Sequence, residues 1–259
     1  MITKSDMQFF RSLHKKEGRV ASAKFLVEGE KIITDLLMAG QVPVMLVCTE
    51  DWATNSDGLI KGRKIDVRTC RPSDIERCST LKTPQEVLAV FCIPESKSIH
   101  DIQDGLILAL DEIQDPGNLG TIIRTAAWFG IDYILCTENC ADLYNPKVIQ
   151  ATMGGFNSVQ VIYGNLLSML GEMKKKGFVV TAAVMNGTSS HDFISPSKMV
   201  LVMGNESRGV SADIQAITDM RITIPAFPIN SLRMESLNVS TATSILCYDL
   251  RKKKCEKGR

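Results

Sequence analysis

Short apolar runs recur along the second half of the chain, separated by stretches in which apolar residues return every three or four positions. Leu106–Leu110 (LILAL), Ile131–Thr137, Ser158–Tyr163, Phe178–Val184, Met199–Met203 (MVLVM) and Arg221–Ile224 have strand length and composition. Residues 119–129, closed by Gly130, a segment after Asn145-Pro146, and residues 165–176 carry helical spacing, and a long helix is expected from Ser236. Continuous apolar strands alternating with helices predict an α/β fold whose mostly parallel sheet is covered on both faces. Ligands of such sheets bind beyond the carboxyl ends of the strands. The loops after Leu110, Met203 and Ile224 are therefore expected to converge on one site.

The first part of the chain has a different rhythm. An amphipathic stretch covers residues 5–16, Glu28–Met38 reads as a helix stopped by Gly40, and a further helix starts at Pro72-Ser73-Asp74. Pro43–Thr49, Lys64–Thr69 and Glu86–Ile93 read as strands. Pro94–Gly105 is polar and interrupted by Pro and Gly, which places a linker at residues 96–105 between a smaller α/β domain (1–95) and a larger one (106–259).

Composition narrows the class. Of 259 residues, 44% are hydrophobic and 23% charged, as in a globular protein. No apolar run approaches the ~20 residues that span a bilayer, and the N-terminus lacks an apolar stretch of signal-peptide type, so a cytoplasmic protein without a membrane partner is expected. A net charge of +1 leaves nucleic-acid binding to local patches. Three candidates stand out: Arg11, His14, Lys15, Lys16, Arg19 and Lys24; Lys61, Arg63, Lys64, Arg68 and Arg71; and Arg251–Lys254 with Lys257 and Arg259. Each is more often a solvated face or fraying tail than a binding site, and three in one chain favour RNA binding only modestly. The eight cysteines contain no Cys-x-x-Cys pair, Cys136-x-x-x-Cys140 alone does not make a zinc site, and the three histidines sit far from any paired thiols, so mostly buried, reduced thiols are expected and no metal site.

Three segments carry candidate chemistry. In Asp111–Thr125 (DEIQDPGNLGTIIRT), Asp115-Pro116-Gly117-Asn118 is a turn, with Asn118 placed to cap the next helix and Arg124 off its apolar face. Taken alone, this is a capped helix with a solvated arginine. In Val202–Ser211 (VMGNESRGVS), Gly204 and Gly209 have the spacing of a phosphate loop, yet Val-Ser follows where Lys-Ser or Lys-Thr would grip phosphate. What remains is a tight turn projecting Asn205 and Glu206. In the third, Ser236 is a candidate N-cap, and Ser240, Thr243, Ser244 and Cys247 continue a small-residue face suited to a confined space. No Gly-x-Gly-x-x-Gly supports a dinucleotide site.

Together, DPGNLGTIIRTA, VLVMGNESRGVS and IP…ESLNVSTATSILCYDL resemble the three ordered motifs of the SpoU (TrmH-type) branch of the SPOUT RNA methyltransferases, over residues 105–250. RSLHKKEGRVASAKFLVEGEKIITDLL resembles the family's L30e-like (ribosomal-protein-L30-like) RNA-binding domain. The resemblance implies a C-terminal trefoil-knot domain with the last helix threaded through a loop, a topology too rare for pattern reading to propose. It implies S-adenosyl-L-methionine as cofactor, contacted at Met203, Gly204, Asn205, Gly209, Ile224 and Leu237, and transfer of its methyl to a ribose 2′-hydroxyl. Asn118, Arg124, Glu206, Ser236 and Asn238 fall at the implied catalytic positions. Arg124 is the family's proposed base. A guanidinium is almost always charged, so Arg124 is read instead as fixing phosphate and stabilising the developing alkoxide, with Glu206 as proton acceptor or orienting group. The resemblance also implies a homodimer. Structured RNA is the expected partner, with large-subunit (23S) ribosomal RNA favoured over tRNA by the L30e-like domain. A tRNA methyltransferase and a non-catalytic RNA-binding protein are the alternatives, the latter opposed by the five polar residues being present together. The loop from Pro225 to Ser236, with Arg233, is longer than in the leanest members of the family.

Overall fold

The computed structural model describes residues 2–95, 97–227 and 236–257, with the side chains of the last helix described as far as Lys252, so Arg233 and Arg259 lie outside the described residues. Two compact units form: Met1–Glu95 with Asp142–Asn157, and Ser96–Ala141 with Ser158–Arg259.

In the first unit, α1 (Lys4–Ser12) and α2 (Lys16–Ser22) lead into β1 (Lys24–Glu28), α3 (Glu30–Met38), β2 (Met45–Cys48), α4 (Glu50–Asn55), α5 (Asp57–Ile60), β3 (Asp66–Thr69), α6 (Pro72–Cys78) and β4 (Val87–Cys92). The sheet runs β1-β4-β2-β3, with β4 antiparallel to both neighbours and β2 parallel to β3. Phe25, Val27, Leu46, Val87 and Ala89 bury one face against Ile33, Leu37 and Trp52, while Leu26, Val47, Leu88 and Val90 bury the other against Phe10, Leu13 and Ile75. Strand β1 corrects the sequence reading, which began a helix at Glu28. Gly29, at φ +106°, breaks the chain between strand and helix, and Gln85 Oε1 caps α3 by accepting the Glu30 N–H at 2.9 Å. The buried Glu28 carboxylate accepts hydrogen bonds from the Ser79 and Thr80 hydroxyls and the Thr80 N–H, tying β1 to the loop after α6.

Two of the basic patches are partly consumed by structure. Arg19 is buried, donating to the carbonyls of Leu13 (2.8 Å) and His14 (3.1 Å) and to Asp142 (2.5 Å). Arg11 donates to Arg77 O, Arg63 to Leu37 O, and Arg68 pairs with Asp6 and Asp66. Lys15, Lys16, Lys64 and Arg71 remain exposed.

The second unit holds β5 (Leu106–Leu110), α7 (Pro116–Trp128) and β6 (Tyr133–Thr137). After α8 (Pro146–Thr152), which belongs to the first unit, come β7 (Gln160–Gly164), α9 (Leu166–Lys175), β8 (Val179–Ser189), β9 (Met199–Met203), α10 (Ala212–Ile217), β10 (Met220–Thr223) and α11 (Val239–Lys257). Its sheet is parallel throughout in the order β10-β8-β9-β5-β6-β7. β5 and β9 lie at the centre, every residue buried, as their uninterrupted apolar sequences require. The chain runs outward from β5 to β7 and then returns to the other side, making the β5/β9 boundary the switch point.

The linker at residues 96–105 is not a free tether. Ile102 is fully buried, and Lys176 Nζ donates to the carbonyls of Ile99, His100 and Ile102 at 2.9–3.0 Å, drawing this segment into the second unit. The clearest energetic commitment in the first unit is Arg19. An Arg19→Met variant leaves Asp142 Oδ2 and two carbonyls without donors and is expected to lose about 3 kcal/mol of stability, read as a lowered urea midpoint.

Candidate functional site

Strands β5 and β9 pair in register from Leu106↔Met199 to Leu110↔Met203, and the Asp111 N–H extends the ladder to Met203 O at 2.9 Å. The loops that follow therefore leave the sheet side by side. In the first, Asp115 is the N-cap of α7: its side chain accepts the Asn118 N–H at 2.8 Å, and Pro116 occupies the first helical position. This corrects the assignment of the cap to Asn118, whose side chain is thereby released for other contacts. Leu119, Ile122, Ile123 and Ala126 bury α7 against the sheet. Thr125 meets Ser244 of α11 across 2.9 Å. Arg251 caps the far end of α7 by donating to the Phe129 and Gly130 carbonyls, a structural use of a residue first grouped with the basic tail.

The second loop is a closed turn. Asn205 and Gly209 exchange backbone hydrogen bonds of 3.0 and 2.8 Å, Gly209 adopts φ +67°, and a Cβ on Gly204 would stand 2.1 Å from the Gly209 carbonyl carbon. The Asn205 side chain accepts the Ser207 and Arg208 N–H groups and donates to Glu112 O at 2.9 Å. The Asn205 side-chain amide thus holds the turn, and the residue, expected to contact cofactor, lies in the cavity wall.

The third segment meets the other two through Asn238. Its Oδ1 accepts the N–H groups of Ser240 (3.0 Å) and Thr241 (3.3 Å), so Asn238 and not Ser236 caps α11. That fixes the amide orientation: Asn238 Nδ2 donates to Asn118 Oδ1 at 3.0 Å, and Asn118 Nδ2 donates to Glu206 Oε1 at 2.7 Å. A relay of one polarity runs from the positive end of α11 to the Glu206 carboxylate, joining residues 88 and 120 positions apart.

Beside the relay is a cavity of about 970 Å³. Met203–Gly209, Ile224–Phe227, Ser236, Leu237 and the α11 residues Val239, Ala242 and Leu246 line it, together with Ala183–Asn186. The last group was missed by sequence reading, which ended the strand at Val184. β8 continues to Ser189 through a bulge: its partner register with β10 jumps from Arg221↔Ala182 to Ile222↔Thr188, pushing residues 183–187 outward. Gly187 permits this, because a Cβ there would stand 2.7 Å from the Ile222 carbonyl carbon. A second cavity of about 750 Å³ lies along the same turn, lined by Asp111, Glu112, Arg208 and Arg221 among others.

The structure thus brings Glu206, Ser236, Met203, Gly204, Asn205, Gly209, Ile224 and Leu237 to one cavity, with Asn118 and Asn238 hydrogen-bonded behind Glu206. It does not bring Arg124 there: that side chain is exposed on α7 and has no hydrogen bond or ion pair among the described residues. The small-residue face of α11 is buried at Ser240, Thr243 and Cys247. Cys136 and Cys140 flank the first loop. Hydrogen bonding from Cys136, opposed by burial and aided by Thr137 and the Ile113 N–H, draws the Cys140 thiol down to about 7, while burial drives Cys136 upward. Among the described residues no cluster of His, Cys, Asp and Glu could hold a metal ion, and no helix is long and apolar enough to cross a membrane.

A parallel sheet with a large cavity and a carboxylate relay at its switch point defines an α/β enzyme site of the ligand-binding type. Residues 105–248 match the SpoU rRNA Methylase family, and residues 4–89 match the MRM3-like substrate binding domain. The chain belongs to the SpoU rRNA methylase family. It is 32% identical over 257 residues to the 23S rRNA (guanosine(2553)-2'-O)-methyltransferase RlmP of Bacillus subtilis, covering 93% of this chain and 94% of that one. A solved structure of a candidate RNA methyltransferase of the TrmH family from Porphyromonas gingivalis superposes with a TM-score of 0.87 at 36% identity, covering 98% and 99% of the two chains. The AdoMet-bound rRNA methyltransferase from Sinorhizobium meliloti gives 0.86 at 26% identity, over 98% and 96%.

The closed turn supplies a direct check on this site. Gly204→Ala forces a methyl into the Gly209 backbone and is expected both to lower the melting temperature and to abolish ligand binding at the cavity, measured by thermal scanning and calorimetry with S-adenosylmethionine.

Proposed function

We propose that the protein is an S-adenosylmethionine-dependent RNA ribose 2′-O-methyltransferase acting on large-subunit ribosomal RNA. The observation that carries this is the one-way relay Asn238–Asn118–Glu206, ending in a carboxylate at the wall of a cavity lined by both apolar and polar residues. The residues fit the cofactor. Ile224, Phe227, Leu237 and Leu246 would offer apolar surface for a base, Gly204 keeps the wall free of a side chain, and the Glu206 carboxylate in the wall would complement a cationic group. When bound, S-adenosylmethionine supplies a methyl group made electrophilic by its sulfonium.

This chain's residues do the rest. Asn118 occupies Glu206 Oε1, leaving Oε2 without a hydrogen bond among the described residues and open to the proton of a ribose hydroxyl. Asn238, held by the α11 amides, keeps Asn118 from rotating. Ser236 is an exposed hydroxyl on the cavity rim, positioned for a polar group of the substrate. The trefoil-knot topology that the family resemblance implies is part of the same proposal, supported by the close approach at Gly204 and the buried small residues of α11. So is a cytoplasmic place of action, alongside the bacterial 23S rRNA that the B. subtilis relative modifies. The SpoU rRNA Methylase match and the similarity to a 23S rRNA methyltransferase support ribosomal RNA over tRNA.

Arg124 stands outside the cavity of its own chain, and Trp128, one turn further along α7, is 84% exposed. A large bare aromatic beside an unpartnered cation supports a homodimer in which each Arg124 serves the neighbouring subunit's site.

Two experiments test the reading. Incubation with labelled S-adenosylmethionine and either total ribosomal RNA or total tRNA is expected to label large-subunit RNA, with the product resistant to alkali at one linkage; label on a base would refute ribose transfer. Arg124→Ala and Glu206→Gln should each lose at least about 100-fold in kcat. Mixing the two inactive variants should restore up to about a quarter of the activity if Arg124 acts across the dimer. No recovery in a demonstrably mixed dimer would place Arg124 in its own subunit's site.

A further inference from the structure

We propose that Glu112 is a positioning residue for methyl transfer: it locks the Asn205–Gly209 turn against the Asp115–Asn118 turn so that Glu206 and Asn118 meet. The inference rests on the reading of the site given above and assigns a residue outside the relay. Four contacts converge on Glu112. Its N–H donates to Thr137 Oγ1 at 2.9 Å, its carbonyl accepts from Asn205 Nδ2 at 2.9 Å, and its carboxylate accepts from Asn139 Nδ2 at 3.1 Å and pairs with Arg208. Asn205 and Arg208 stand on either side of Glu206 in the turn, so one residue holds both flanks of the relay's terminal carboxylate.

The backbone points the same way. Glu112 adopts φ +57°, the left-handed region that favours glycine. Its neighbours leave it little choice: the buried Asp111 side chain accepts the Ser211 N–H at 2.8 Å, and the Ile113 N–H donates to Cys140 Sγ. Glycine would satisfy this backbone with less strain and would lack the carboxylate. A glutamate kept in such a conformation has a use for its side chain. Stability is a poor candidate for that use, since the Arg208 side chain is 68% exposed and exposed ion pairs contribute little.

The two roles separate in a Glu112→Gly variant. Positioning predicts a melting temperature no lower than the parent's, a fall in kcat on the order of tenfold at unchanged KM for RNA, and faster amide exchange at residues 205–209 by a similar factor. Exchanging the charges, Glu112→Arg with Arg208→Glu, should recover much of the exchange protection and turnover that Glu112→Arg alone loses. Parental turnover and exchange in Glu112→Gly would overturn the proposal, as would a loss of turnover matched by a fall in melting temperature. If the parent protein transfers no methyl to any RNA, the functional reading fails, while the exchange measurement still decides whether Glu112 holds the turn.

Discussion

The pairing of β5 with β9 is the constraint on which the site depends. These strands are 93 residues apart in the chain at Leu110 and Met203, yet they end in register, and the Asp111 N–H carries the ladder one bond further. Both strands are buried throughout, so a slip of register would strand polar loop residues inside the sheet and expose apolar ones. The apolar runs LILAL and MVLVM therefore do more than build a core. They fix, to within a hydrogen bond, where two polar loops emerge, and every contact of Asn205, Arg208 and Glu206 with the first loop presupposes that placement.

From that point the site is built by close approach and hydrogen-bond direction. Gly204 lets the turn fold onto Gly209 and Val210 without a side chain between them. The α11 amides dictate how the Asn238 amide faces, Asn238 dictates Asn118, and Asn118 dictates which oxygen of Glu206 is engaged. Such a chain has no slack, because reversing any amide would oppose donor to donor or acceptor to acceptor. The left-handed backbone at Glu112 costs on the order of 1 kcal/mol, and the surrounding contacts hold it there. Among the described residues of the second unit, Glu112 is the one non-glycine in the left-handed region, and it sits at the carboxyl edge of the sheet.

What was legible in the sequence was what local pattern controls. The extents of β5 and β9 and the convergence of three loops follow from apolar periodicity, whereas Asp115–Asn118, read as a turn before a helix at Leu119, is the capped first turn of α7 itself. Hydrogen-bond partners distant in sequence were not legible. Asn118 and Ser236 each had a suitable local position for a cap, and only the structure shows Asp115 and Asn238 taking those roles. Asp-Pro at the start of α7 was the signal for the first, since aspartate before proline is a strong N-cap arrangement. For Arg19, a basic cluster is indistinguishable by composition from a buried arginine whose partner, Asp142, lies 123 residues away. The outward bulge of residues 183–187 is likewise set by the β10 backbone against Gly187, which no count of apolar residues reveals.

Arg124 shows how fold and function divide. Its motif matches, its helix is in place, and its neighbours Ile123 and Thr125 are buried as the helix requires. Yet nothing described in its own chain engages it. A side chain that the fold presents but does not use is free of the core's demands, so it can meet groups that arrive from outside: phosphate, hydroxyl or a second subunit. The relay has the opposite character, since each of its members is fixed by the next. A site with one half locked into the sheet edge and the other offered on a solvent-facing helix suits a large, folded substrate. In the function proposed above, the rigid half would align the small reactive group, and the exposed half would meet the surface that brings the RNA to it.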